Sequence, residues 1–285
     1  MYLKVLPLDI SFDKEWLTYF FRDEEKAYIG IWSIVSIPIK NNISYWVVYG
    51  FEAETEFDNV RAIVWSVCSF PIISEYQLWL IFAIANRYFL PVHKVLNLFL
   101  PKFVFNRFDK NAFQDVIWLD NFLKNETIQA DNAFIHNSSS IWVEKIMDLE
   151  KLSERWAVLV FGDDFAVDYF LERNQKYKKD ALVYKNSMTY AKKYNLFLDV
   201  LSKKKNILIW TRKILQYNLA RYENIVYLED ALVRYNYNQF EKYRNLDIME
   251  FLTDTKKFNV TFISSVPSVE LFLMSKKKRF SYKII

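Results

Sequence analysis

The chain has 285 residues, of which 52% are hydrophobic and 25% charged, with a net charge of +4. That composition supports a sizeable packed core and excludes disorder, and the mild positive balance permits an anionic partner without requiring one. A single cysteine, Cys68, excludes an internal disulfide and a cysteine-rich zinc site.

The first residues, Met1 to Pro7, lack the apolar stretch and cleavage site of a signal peptide. The longest apolar run, Leu78 to Ala85, is far shorter than the roughly 20 residues of a membrane span. The expectation is a cytoplasmic protein with no membrane contact. Ile29 to Ile39 and Ile43 to Phe51 are rich in Ile, Val, Trp and Tyr, and Lys40-Asn41-Asn42 separates them. This predicts two strands and a turn. Val60 to Val67 reads as a third strand after the acidic loop Glu52 to Asp58. Cys68, at the end of that apolar run, reads as a buried small hydrophobe. Ser74 to Phe89 then has helical spacing, with Leu78, Ile81, Phe82, Ile84 and Ala85 on one face. Pro91 interrupts it, and a short helix over Val92 to Leu100 stops at Pro101.

From about residue 106 the rhythm changes. Short apolar runs recur at Ala157 to Phe161, Asn206 to Trp210, Ile225 to Leu228 and Val260 to Ile263, with a weaker one at Ala133 to Ile135. Polar or helical stretches separate them. Fully apolar strands alternating with helices predict a parallel sheet covered on both faces, with any ligand at the carboxyl ends of its strands. The fold class is therefore α/β overall: a strand-rich module with helices over 1–105, then a parallel-sheet α/β domain over 106–285.

Glycine is scarce: Gly30, Gly50 and Gly162 are the only three, and the nearest pair is 20 positions apart. Neither GxGxxG nor GxxxxGK[ST] can exist anywhere in the chain. The two histidines, His93 and His136, have no carboxylate or cysteine at metal-ligand spacing, and no nucleophile elbow accompanies Ser138 to Ser140. Gly162-Asp163-Asp164 ends a strand and reads as a solvated turn rather than a cation site. No catalytic residue, metal site or cofactor is expected.

Several segments carry a resemblance. Leu17-Thr18-Tyr19, Trp32 to Lys40, Val60 to Val67, Ile84 to Pro91 and Leu100-Pro101 follow one another in the order and spacing of a known module. They resemble the 3′-DNA-end-binding domain of the bacterial replication-restart helicase PriA, the primosomal protein N′. In that family these stretches are a Phe-Asp-Tyr turn, a G-x-R-V-x-V-P-F-G strand, an L-K-x-V-x-x-V-L-D segment, and a long helix followed by P-x-G-x-V-L and L-P. The second half resembles the same helicase's RecA-like first motor domain. Trp210-Thr211-Arg212 matches its G-T-R, Ser264 to Glu270 its S-A-T-P-A-L-E, and Ile225 to Ala231 its I-V-I-D-E-E-H. Tyr243 to Asp247 matches its Y-H-A-R-D, and Ile135 to Ser140 its T-G-S-G-K-T. The family's zinc lobe and second motor domain have no counterpart here.

The resemblance implies a lost motor. The phosphate loop falls on His136, Asn137, Ser138, Ser139 and Ser140, where glycines and the phosphate-binding lysine are missing. Backbone amides cannot cradle phosphate when side chains crowd the approach. The Mg²⁺-holding aspartate falls on Leu228, while Glu229, Asp230, Thr211 and Arg212 remain. The resemblance also implies a DNA-end site at Leu17, Thr18, Tyr19, Lys40 and Arg61. There Tyr19 would stack on a base, Thr18 would accept from the terminal hydroxyl, and Arg61 would hold phosphate. The alternative is that these are ordinary strand-end residues in a module that has lost its pocket. Basic clusters at Lys203 to Lys205 and Lys276 to Arg279 read as solvated charge or as further strand contacts.

The expected function is a non-catalytic, PriA-like DNA-binding protein of replication restart and primosome assembly, recognising a fork or a single-strand 3′ end. A protein–protein scaffold for other replication proteins is one alternative. An unusual nucleotide binder using Thr211, Arg212 and Glu229 is the other.

Overall fold

The computed structural model describes residues 1–7, 16–22, 24, 29–68, 71–100, 104, 132–136, 156–202, 205–211, 217–219, 222–228, 245–265, 267–277 and 281–284. These fall into two units. The first holds the described residues through Val104, with Tyr217 and Asn218; the second holds the remainder.

The first unit is an antiparallel sheet ordered β2-β1-β4-β3-β5. Its strands are β1 (Tyr2–Pro7), β2 (Leu17–Phe20), β3 (Ile34–Ile39), β4 (Asn42–Glu52) and β5 (Trp65–Ser66). The predicted hairpin is β3–β4. Ile39 faces Asn42 across a two-residue turn of Lys40 and Asn41, and Lys40 takes φ 53°. That positive φ matches the twist of tight hairpins but favours glycine. The G-x-R-V-x-V-P-F-G segment of the resemblance has its last glycine at this position.

β3 begins at Ile34 rather than Ile29, because residues 30–33 form a turn. The Ser33 hydroxyl donates to the Gly30 carbonyl at 2.6 Å, and Trp32 takes φ 67°. The segment before β5 also departs from the expected strand. Ala62 bridges Phe20 of β2, and Trp65 and Ser66 pair with β3. Phe20 N–H donates to Arg61 O at 2.9 Å, and Ile63 N–H to Phe20 O at 3.0 Å. One segment thus serves both edges of the sheet, and the sheet closes on itself. The interior is filled by Leu3, Val5, Tyr19, Val35, Ile37 and Trp46, among others. Inward and outward residues alternate along the strands, as the two-residue period requires.

α1 (Glu75–Tyr88) and α2 (Val92–Phe99) follow at the predicted places. Gln77 Oε1 accepts from the Ser74 backbone N–H at 3.0 Å and from its hydroxyl at 3.1 Å, which closes the first turn of α1. Phe89, at φ 51°, ends α1, and Leu90 N–H returns to Ala85 O at 3.0 Å. Cys68 is buried, as its apolar run predicts, and accepts from Ile34 N–H at 3.4 Å.

The second unit is a seven-stranded sheet ordered β12-β6-β11-β10-β7-β9-β8, and every pairing in it is parallel. Five strands coincide with the predicted apolar runs: β6 (Ala133–His136), β7 (Ala157–Val160), β9 (Ile207–Trp210), β10 (Asn224–Leu228) and β11 (Asn259–Ser264). β7, β9 and β10 are buried at every position, the mark of a sheet covered on both faces. Two further strands, β8 (Ala181–Val183) and β12 (Ser281–Ile284), border the sheet. Around it run α3 (Asp164–Arg173), α4 (Gln175–Asp180), α5 (Tyr190–Leu201), α6 (Asn245–Asp254) and α7 (Val269–Lys276).

No helix among the described residues is long and apolar enough to cross a membrane.

Candidate functional site

The candidate DNA-end residues lie on β2, on the β3–β4 turn and on the segment that closes the sheet. Tyr19 is paired with Leu3 and points inward; it is 6% exposed and packs among Leu3, Val35, Trp46 and Ile63. Its hydroxyl donates to Pro38 O at 3.2 Å, two residues before Lys40. Burial pushes the phenol pKa up, and the positive charge of Arg61 offsets part of that rise. Leu17, paired with Val5, and Ile39 both pack against the same core cluster. Arg61 is exposed, and its carbonyl is bonded to β2. The structure thus brings together Tyr19, Arg61 and the strand end that leads into Lys40.

Thr18 lies apart from that arrangement. It pairs with Lys4 on the outward face of β2, where alternation puts it. The stacking role expected for Tyr19 does not fit its position, because the ring forms part of the core. The Leu17-Thr18-Tyr19 segment is a strand rather than a turn. Its alternation sends residues 17 and 19 in and residue 18 out.

In the second unit, the positions singled out by the resemblance fall at the carboxyl ends of parallel strands. His136 ends β6, Ser264 ends β11 and faces His136 in register, and Leu228 ends β10 opposite Ile263. Trp210 ends β9, and Thr211 follows it, fully buried. Asn186 donates to the Thr211 hydroxyl at 3.0 Å. Leu228 is buried in the apolar cluster of Leu159, Ile209, Val226 and Ile263. Asn137, Ser138, Ser139, Ser140, Arg212, Glu229 and Asp230 lie outside the described residues.

The Gly162-Asp163-Asp164 turn has a structural occupation. Asp163 caps α3, accepting from Ala166 N–H at 2.9 Å. The Asp164 carboxylate accepts from the backbone N–H of Asn186 at 2.8 Å and of Ser187 at 2.9 Å. Burial alone would raise its pKa. The amides of Ser187 and Asn186, the Ser187 side chain and the charge of Lys185 together outweigh burial and hold the carboxyl below its ordinary value. Asp164→Ala is expected to loosen the loop after β8, at roughly 1 kcal/mol at neutral pH. A depressed carboxyl contributes fully above the ordinary aspartate range and loses its contribution as pH falls through the folded value. Thermal unfolding of parent and variant should therefore converge in acid; a gap that widens there would contradict the assignment. Among the described residues no group of His, Cys, Asp and Glu could hold a metal ion. His93, on α2, is half-buried, and burial and then Lys94 lower its pKa.

The pattern in the first unit has a counterpart among known proteins. Residues 5–101 match the family model of the PriA 3′DNA-binding domain (3′BD). The N-terminal part of this chain is PriA-like. The match ends with the first unit's helices and leaves the parallel sheet outside it. No curated protein matches the chain.

One exposed feature escaped the sequence reading. Trp16 stacks on Tyr49, with ring centroids 6.4 Å apart and planes within 17°, and Trp32 meets Tyr49 edge-on at 5.7 Å. These residues are 16 and 17 positions from one another and share no motif. Only strand pairing brings them together.

Proposed function

We propose that this protein is a non-catalytic, PriA-like DNA-binding protein, recognising forked or 3′-ended DNA through its N-terminal unit and serving replication restart or primosome assembly from the cytoplasm. The match of residues 5–101 to a 3′DNA-binding domain carries this reading. The convergence of Tyr19, Arg61 and the Lys40 turn supports it. An exposed guanidinium beside a strand end is suited to the last backbone phosphate of a DNA 3′ end, because its planar fork matches two phosphate oxygens.

The second unit is proposed to be a motor domain that has kept its sheet and lost its chemistry. Its motif positions share one edge of a parallel sheet, where ligands of such folds sit. The residues there do not fit nucleotide and Mg²⁺. Leu228 offers no oxygen and is packed in hydrocarbon, and the Thr211 hydroxyl is fully buried with Asn186 as its partner. The unit then contributes a platform for other replication proteins.

Fluorescence anisotropy on a labelled fork with a free 3′ end tests the reading. Salt-sensitive binding by the full chain is expected, with a loss of roughly 10- to 140-fold in Arg61→Ala, since a charge-assisted contact contributes about 1.5–3 kcal/mol. Absence of salt-sensitive binding, or an unchanged affinity in Arg61→Ala, overturns it.

A further inference from the structure

The structure buries the ring that the resemblance assigns to base stacking, yet exposes an aromatic pair beside the same strand. Trp16 directly precedes β2 and is 41% exposed; Tyr49 is 38% exposed. Tyr49 points outward by the alternation of β4, in which Trp46 and Val48 face the core. A β-bulge falls on it: Lys4 pairs with Gly50 and Val5 with Val48, so Tyr49 is the extra residue of β4. Trp32 braces it edge-on at 5.7 Å from a left-handed position. Lys4 Nζ lies 5.5 Å from the centre of the Trp16 ring and is paired with Glu52 at 2.5 Å. Thr18, the outward member of the candidate DNA-end residues, is the cross-strand partner of Lys4.

We infer that Trp16 and Tyr49 form a stacking platform for unpaired bases of a single DNA strand whose 3′ end lies at Arg61 and the Lys40 turn. The inference rests on the DNA-end reading and moves the base-stacking contact from Tyr19 to this neighbouring pair. Two near-parallel rings with exposed surface extend naturally into a stack with a base, and stacking tolerates any sequence because every base has a π-face. A protein partner fits the patch less well: Lys4 and Thr18 border it, and both can meet a sugar–phosphate backbone. Glu52 already neutralises much of the Lys4 charge, so the platform works by stacking more than by charge.

A 3′-ended single-stranded oligonucleotide with 2-aminopurine at internal positions near its terminus reads this directly. The full chain is expected to quench the probe. Trp16→Ala and Tyr49→Ala should each weaken binding by about 5- to 140-fold, which is 1–3 kcal/mol per stacked base at 1.4 kcal/mol per tenfold. The slope of affinity against salt should stay nearly constant, because no phosphate contact is removed. Tyr49→Phe should bind like the parent. Abasic sites at the same DNA positions provide a second measurement on the parent protein, independent of variant folding, and should weaken binding by a similar factor. Parent affinity in both folded alanine variants, or indifference to the abasic sites, with Arg61→Ala still defective, overturns the platform and leaves the DNA-end reading intact. Failure of the parent chain to bind the oligonucleotide overturns both.

Discussion

Trp46→Ala is expected to destabilise the first unit by about 3–5 kcal/mol, the range for removing a large buried aromatic from a packed core. Trp46 is fully buried inside the closed sheet, and its indole N–H donates to the Ser44 hydroxyl at 2.9 Å. Alanine would empty that volume and remove the indole's hydrogen bond to the Ser44 hydroxyl. A domain of ordinary stability, about 5–15 kcal/mol, would lose a large share of it. The functional consequence follows from shared packing. Tyr19 and Ile63 rest on the same cluster, and they hold β2 and the Arg61 segment in place. Denaturant unfolding of the full chain should show an earlier transition, and fork binding should fall together with it. A loss below about 1 kcal/mol would mean that the strands do not close around this tryptophan.

The elements that the sequence made legible are those with strong local patterning. α1, the β3–β4 hairpin and the fully apolar strands β7, β9, β10 and β11 each announce themselves by period or composition. β2 and β12 do not. Leu17 to Phe20 is too short to show alternation, and Ser281 to Ile284 comes one residue after a basic run. Closure of the first sheet is invisible for a different reason. It depends on pairing Phe20 with Ala62, 42 positions away, which no local pattern records. The same holds for the candidate site. Resemblance located Thr18, Tyr19 and Arg61, but only the strand register shows that Thr18 faces out while Tyr19 faces in. The Trp16–Tyr49 pair depends on the pairing of β1 with both β2 and β4, so neither residue stood out in the sequence.

Leu228→Asp restores the acidic residue that the resemblance places at this position, and its expected effect is unfolding rather than revival. Leu228 closes β10 within a cluster of Leu159, Ile209, Val226 and Ile263, where it is nearly inaccessible. A carboxylate there would be desolvated and unpaired; an uncompensated buried charge costs about 3–5 kcal/mol. Burial would also raise that carboxyl's pKa, so the penalty is greatest at neutral pH and shrinks as acid protonates it. Thermal unfolding should show a large drop that narrows at low pH, and Mg-ATP should not raise the melting temperature. A ligand present at a hundred times its dissociation constant would add about 2.7 kcal/mol, well within reach of the measurement. A variant that keeps parent stability and gains stabilisation from Mg-ATP would show that the strand edge still holds a metal-ready site. The expected outcome implies the opposite: Leu228 is part of what holds the sheet together. Placing one aspartate there removes core packing without supplying the glycines and lysine of a phosphate loop, which the sequence from His136 to Ser140 lacks.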